Sequence, residues 1–368
     1  MSHVDLLFSG DLILDVPQPE YWLDGIAPLL RRAALAIGHL EVPHTRRAAQ
    51  LHSDIAAPGA DPAHVPAMRH AGFHAVSLAG NHIADCGADG IADTVAALDA
   101  AGIAHSGAGA NLDAARRPCQ LDAAGVRVAM LSYNCVGPED AWATPTRAGC
   151  SYLRIDTADG SAISPRAPLS TPDAASLRSM ATDIRAARAA AQLVVVALHK
   201  GIVHTPARLA PYERAVAQAA IDAGADVVVS HHAHILRGIE IHRGKPIFHG
   251  LGNGCVVTRA LSPDGDDPAR AEWARRRQEI FGFSPDPAYY LAPFHPQAVN
   301  AMLGCVRLNS DGSVSAGFHP LHVDPPGRPR ACTNGEAQRV MRYVEEIARA
   351  ADLPALELRY EDGIAWIQ

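Results

Sequence analysis

The chain has 368 residues, 48% of them hydrophobic, which is enough to bury a large core without a partner or a disulfide. Its formal net charge is −7, and with no long basic run it lacks the electrostatic footprint of a nucleic-acid-binding protein, so no nucleic-acid partner is expected. The seven cysteines form no CxxC pair, which fits reduced thiols in a cytoplasmic protein better than a disulfide framework or a structural zinc site.

The first segment, MSHVDLLFSGDLIL, has no basic leader, and Asp5, Ser9 and Asp11 break its apolar run, so neither an export signal nor an anchor is expected. No later stretch has eighteen uninterrupted apolar residues, so no membrane association is expected either. The run VDLLFSGD reads as a strand ending at Asp11, and AALAIGHLE as a second ending at Glu41. A helix over 62–71 follows, then AVSLAGNH ending at His82, then a helix over 89–101. Segment 136–172 is rich in Pro, Thr, Ser and Asp and reads as an insertion.

Beyond it the alternation resumes. A helix over 173–191 precedes LVVVALHK, ending at Lys200, and a helix over 207–223 precedes DVVVSHHAH, ending at His234. PIFHGLGN ends at Asn253. These Val-, Leu- and Ile-rich runs, alternating with helices, predict a single α/β domain with buried parallel strands, whose polar endings converge at the carboxyl ends of the strands. Segment 259–300 reads as a second insertion, with a charged helix at Arg270–Glu279 and the length to form a lid. Arg275–Arg277 in that lid read as either a lure for an anionic substrate or a solvated helix face. CVRLNSDGSVSAGFHPLHV predicts a β-hairpin and 334–352 a closing helix.

Histidine is unusually frequent: there are nineteen, seven of them between His199 and His249. After the strand DVVV, the HxH of His232 and His234 aims two imidazoles at one place. Gly80-Asn81-His82 adds an amide oxygen beside an acid/base, His199 adds another imidazole, and Asp11 and Glu41 add the carboxylates that offset a divalent charge. Taken singly, each also reads as a helix cap or a packed histidine. Their joint occurrence at successive strand ends favours a metal centre.

The ordered motifs GD, LE, GNHxxDxG, HxG, HxH and LGN, from Gly10 to Asn253, resemble the CapA-like branch of the calcineurin-like metallophosphoesterase superfamily, which includes proteins associated with poly-γ-glutamate capsule synthesis. The resemblance implies an α/β fold of the αββα four-layer sandwich type with lid-like insertions. It also implies one or two divalent ions (Mn, Fe, Co, Ni or Zn) held by Asp11, Glu41, Asn81, His199, His232 and His234, with Glu41 bridging. His82 is then the catalytic acid, oriented by Asp85. Two departures stand out. Ile13 replaces the histidine of DxH, leaving one ion short of a ligand; and Lys200 and Val203 replace a usual Trp and Glu. His39, His204, His231 and Asn253 are the further candidates for metal or substrate.

The expected function is metal-dependent hydrolysis of an amide, isopeptide, lactone or phosphoester bond in a small, anionic or short peptide-like substrate. The alternative is a non-catalytic accessory or polymer-binding protein of capsule synthesis. The sequence leaves the oligomeric state open.

Overall fold

Runs of consecutive apolar residues make strands that bury both faces, and here they build two sheets. A computed structural model describes residues 3–50, 57–262, 268–310 and 313–368. The larger sheet has ten strands. Its parallel half runs Val4–Leu14, Leu35–Leu40, Ala75–Ser77, Ala104–Ser106, and its antiparallel half is built on Asn300–Leu308 and Val314–Asp324. The second sheet has six strands, in the order Ile239–His242, Lys245–Phe248, Val227–His231, Leu193–His199, Val126–Asn134, Cys119–Ala123.

Alternation along the strands assigns each face. Leu6, Phe8 and Ile37 of the large sheet share a buried cluster with Met130, Val195 and Val229 of the small one. The intervening residues Leu7, Ala36, Val194 and Val196 pack in the cluster that holds the helix residues Met68, Leu98, Ile184 and Val216. The fold is therefore the expected αββα sandwich, helices outside and two sheets inside. The helix Asn334–Ala350 presses Val340, Val344 and Ile347 into the inter-sheet cluster.

Several boundaries differ from expectation. The strand expected to reach His82 ends at Ser77, so Asn81 and His82 lie on a loop beyond it. The segment PIFHGLGN is not one strand. Lys245–Phe248 belongs to the small sheet, whereas Asn253 opens Asn253–Val257, paired with Val4–Leu14 in the large one. Asn253 thus sits at a strand start, and residues 249–252 carry the chain from one sheet to the other. The helix expected from residue 207 begins at Pro211, because the Glu213 carboxylate accepts the Ala210 N–H and fixes the start there.

The hairpin at Asn300–Leu308 and Val314–Asp324 agrees with expectation; its turn residues Asp311 and Gly312 lie outside the described residues, as do residues 263–267 of the second insertion. The charged helix of that segment is split into Pro268–Arg275 and Arg277–Phe281. Segment 136–172 contributes only to two two-stranded sheets. The strand pair Cys119–Ala123 and Val126–Asn134, and a C-terminal pair at Leu358–Glu361 and Ile364–Ile367, were not among the expected elements.

Candidate metal centre and its cavity

Parallel register brings the polar strand ends together. In the large sheet Asp11 stands level with His39 on one side and Asn253 on the other. In the small sheet His199 stands level with His231. The two sets face each other across the sandwich, so the site is made by two sheet edges and not by the single edge that a simple βαβ order suggests. Glycine allows the approach: a Cβ on Gly10 would overlap the Gly252 carbonyl, which instead accepts the Asp11 N–H at 3.2 Å. A Cβ on Gly80 would press on His39 Nε2 at 3.2 Å.

Among the described residues, two groups of buried side chains offer ligand atoms within 4.8 Å of one another: Asp11, His39 and His199, and Asp11, Glu41 and His234. Asp11, not Glu41, is the residue the two groups share. His39, left open by the sequence as a substitute for the absent DxH histidine, is brought into the first group. Its Nδ1 lies 2.9 Å from the Ser77 hydroxyl, which itself donates to the Gly38 carbonyl, so Nδ1–H donates and Nε2 keeps its lone pair for a ligand. Burial and the neighbouring His231 hold His39 well below the ordinary imidazole range, and burial together with His39 does the same for His199. This favours in both the neutral form that a metal ligand requires.

Asn81 and His232 fall outside the two groups but touch them. His199 Nε2 lies 2.7 Å from Asn81 Oδ1 and 3.1 Å from His232 Nδ1. The His232 N–H donates to Asp11 Oδ1 at 3.3 Å. His234 donates from Nδ1 to Asn253 Oδ1 at 3.0 Å, and its Nε2 lies 3.1 Å from Glu41 Oε1. Burial opposes charge on both partners, but their attraction wins: His234 is raised to about 9 and Glu41 lowered to about 2. Burial and the Glu41 charge push Asp11 up to about 8.

Among the described residues, the buried atoms of this cluster without a hydrogen-bond partner include Asp11 Oδ2, His39 Nε2, His199 Nδ1, His232 Nε2 and Glu41 Oε2. Unpaired buried polar atoms are costly. Converging nitrogen and carboxylate donors of this kind suit a divalent transition ion. The loops carrying these histidines are strained, with left-handed backbone at His204 (φ 55°) after Leu193–His199 and at His232 (φ 89°) and His234 (φ 54°) after Val227–His231.

The other expected residues separate by role. His82 Nδ1 lies 2.7 Å from Asp85 Oδ2, and the same oxygen accepts the Ala57 N–H. His231 turns away: its Nε2 bonds the Ser9 carbonyl at 3.2 Å while its ring stacks on His39 at 4.6 Å. His204 joins neither ligand group; Phe281 and Phe283 meet its ring edge-on at 4.9 and 5.1 Å. Arg275 and Arg276 are exposed and paired with Glu272 and Glu279, so the solvated-face reading holds for them. Arg277 is buried and donates to the Pro293 carbonyl. Sequence reasoning missed Ser77 and also Phe294, which stacks on His234 at 4.7 Å. The Ser77 signal appears only once its strand is placed level with His39.

Above the centre lies a cavity of about 870 Å³ lined by Glu41, Asn81, His82, His232 and His234 together with both insertions. Segment 136–172 supplies Arg166 and Leu169, and segment 259–300 supplies Leu261, Ile280, Phe281 and Phe294.

The family model described as bacterial capsule synthesis protein PGA_cap matches residues 5–256. The capsule biosynthesis protein CapA of Bacillus anthracis is 31% identical over 189 residues, covering 51% of this chain and 41% of that protein. A probable polyglutamine synthesis accessory protein of Mycobacterium tuberculosis is 36% identical over 214 residues, covering 57% and 52%. The chain therefore spans about half the length of these relatives. Among solved structures, a hypothetical protein from Thermus thermophilus aligns with a TM-score of 0.49 at 16% identity, over 88% of this chain and 100% of that one. The calcineurin-like phosphoesterase YfkN from Bacillus subtilis aligns with a TM-score of 0.39 at 12% identity, over 95% and 98%. Among the described residues no helix is long and apolar enough to cross a membrane.

Proposed function

We propose that this chain, which belongs to the bacterial capsule synthesis protein PGA_cap family, is a metal-dependent hydrolase acting on an amide, isopeptide, lactone or phosphoester bond of a small anionic substrate. The observation that carries this reading is the pair of buried ligand groups joined through Asp11 at the edge of a cavity that His82 also lines. A divalent ion (Mn, Fe, Co, Ni or Zn) bound there supplies a water of lowered pKa and polarises the oxygen of the scissile bond.

The chain's own residues divide the remaining work. Asp11 and Glu41 supply negative charge; His39, His199, His232 and His234 supply nitrogen, and Asn81 an amide oxygen. Asn253 orients His234, as Ser77 orients His39. Asp85 holds Nδ1 of His82, so the proton that His82 exchanges with a leaving group is the one on Nε2, a contribution of about 10²–10⁴-fold in rate. The insertions wall the cavity and limit access of bulk water to the bond.

The test is elemental analysis of the purified protein, followed by a screen of phosphoesters, γ-glutamyl amides and lactones after reconstitution with each metal. Bound metal and turnover are expected; neither metal nor turnover with any ion refutes the reading. The names of the relatives favour a second one, an accessory protein that holds a polymer chain without cutting it. Tight binding of a γ-glutamyl polymer by metal-loaded protein, with no cleavage of any substrate class, decides for it.

A further inference from the structure

The cavity is built unevenly. At about 870 Å³ it is at the roomy end of small-molecule sites, and away from the ligand residues its lining is largely apolar, with Val42, Ile202, Leu209, Leu261, Ile280 and Phe281 contributing. Two exposed arginines stand in the same lining, Arg166 from segment 136–172 and Arg208 from the loop before the helix Pro211–Ala223. Neither has a carboxylate partner among the described residues.

The acids of the lining are already answered. Asp15 Oδ2 accepts the Thr258 hydroxyl at 2.7 Å, and Glu41 is held by His234. The wall therefore offers apolar surface and two uncommitted guanidinium groups, which bind carboxylates or phosphates in a planar, two-pronged fashion. A polymer with a carboxylate on every residue would strip water from charges against Leu261, Ile280 and Phe281, where the buried Arg277 of the lining is already engaged with the Pro293 carbonyl. A molecule with one apolar part and one anionic part matches both features.

We infer that the ligand of this cavity is an amphipathic acid. Its apolar acyl or aryl group lies against Ile202, Leu261, Ile280 and Phe281, and its anionic part is held by Arg166 and Arg208. The identity of the bond between the two parts as the one cleaved rests on the hydrolase reading above; the preference in binding does not.

Calorimetric titration of the metal-loaded full chain with N-octanoyl-glutamate, octanamide and tri-γ-glutamate tests the inference, each probe being recovered and checked for cleavage by mass spectrometry. N-octanoyl-glutamate is expected to bind at least about tenfold more tightly than tri-γ-glutamate. The double variant Arg166→Ala/Arg208→Ala, altered only at exposed positions, is expected to lose about tenfold for N-octanoyl-glutamate and nothing for octanamide. Equal or tighter binding of tri-γ-glutamate overturns the inference, and so does a double variant that binds N-octanoyl-glutamate as the wild type does. Tight binding of N-octanoyl-glutamate, with no cleavage of any substrate class, overturns the hydrolase proposal alone. Cleavage of γ-glutamyl bonds with no preference for the acyl probe overturns this inference alone.

Discussion

Next to the strand end that carries His199, at Lys200, lies a fully buried ion cluster, and replacing Glu213 by Gln tests what it contributes. Glu213 Oε2 accepts from Lys200 Nζ at 2.9 Å, and Oε1 accepts from Arg237 at 3.2 Å and from the Ala210 N–H at 2.7 Å. Glutamine keeps the volume and an oxygen for Ala210 but removes the charge between two cations. Burial opposes ionisation of Glu213, yet Arg237 and Lys200 together hold its carboxyl at about 2, against an ordinary 4.5. That gap is about 3 kcal/mol at ~1.4 kcal/mol per pH unit. Because the folded value is the lower one, this stabilisation is present above pH 4.5 and is lost as the pH falls through about 2. Burial also takes Lys200 below its ordinary 10.5, which offsets part of the gain. Removing the carboxylate leaves an ammonium and a guanidinium with no anion between them, at a cost of about 3–5 kcal/mol. At ~2.1 cal/mol/K per residue the unfolding entropy of the 368-residue chain is ~0.8 kcal/mol/K, so Tm should fall by about 4–6 °C. A calorimetric melt at pH 7 checks this, and the double variant Lys200→Met/Glu213→Gln should recover part of the loss. A fall in Tm below about 1 °C refutes the argument that the cluster depends on Glu213.

Three further outcomes concern the centre itself. His82→Ala should retain metal by elemental analysis and lose about 10²–10⁴-fold in kcat; full activity removes His82 from the acid role. Ser77→Ala, which frees the His39 Nδ1–H that the hydroxyl now holds at 2.9 Å, should weaken metal affinity about 10–100-fold in a competitive chelator titration. Unchanged affinity would mean that His39 does not need that orientation. His234 is bonded at both nitrogens and raised to about 9, so metal uptake through it must expel a proton and strengthen with rising pH. Calorimetry in buffers of different ionisation enthalpy counts the protons released, to which Asp11, raised to about 8, adds its own, and none released excludes His234 as a ligand.

The sandwich was legible in the sequence because each buried strand is a short β-branched run closed by a polar residue, as LVVVALH and DVVVSHH illustrate. What the sequence concealed is which sheet each run joins. The residues of PIFHGLGN read as one strand because nothing in the composition of His249-Gly250-Leu251-Gly252 distinguishes a strand interior from a crossing between sheets. Only pairing with Val228 on one side and Asp11 on the other separates them. The strand Val126–Asn134 escaped notice for a different reason: its polar end, Asn134, bonds back to its own loop through Gly137 and Val136 and contributes nothing to the centre.

The same limit applied to the site. Asp11, Asn81, His199, His232 and His234 can be singled out from ordered motifs, since each motif is a local string with its own turn chemistry. His39 could be named but not placed, because its value depends on a neighbour 38 positions away, Ser77, whose hydroxyl decides which ring nitrogen keeps its lone pair. His204 was an equal candidate on paper. Phe281, Phe283 and Phe294 surround its ring, which also lies 6.0 Å from that of His234, so it lines the cavity without joining either ligand group.

Sharing the site between two sheets has a consequence for how it is held together. Asp11 belongs to a strand of the large sheet, while His199 ends one strand of the small sheet and His232 follows another, so an ion bound by both sets would tie the two sheets together at this end of the sandwich. At that end several buried nitrogens and oxygens have no hydrogen-bond partner, which costs the metal-free fold stability. An ion held there would bind the folded state alone and so stabilise it in proportion to the logarithm of free metal over Kd. The close passage of Gly10 against Gly252 serves the same purpose from the backbone side, since only two glycine-bearing segments can approach until Asp11 and Asn253 stand level. The GD and LGN motifs are therefore a single structural requirement, read from two distant places in the chain.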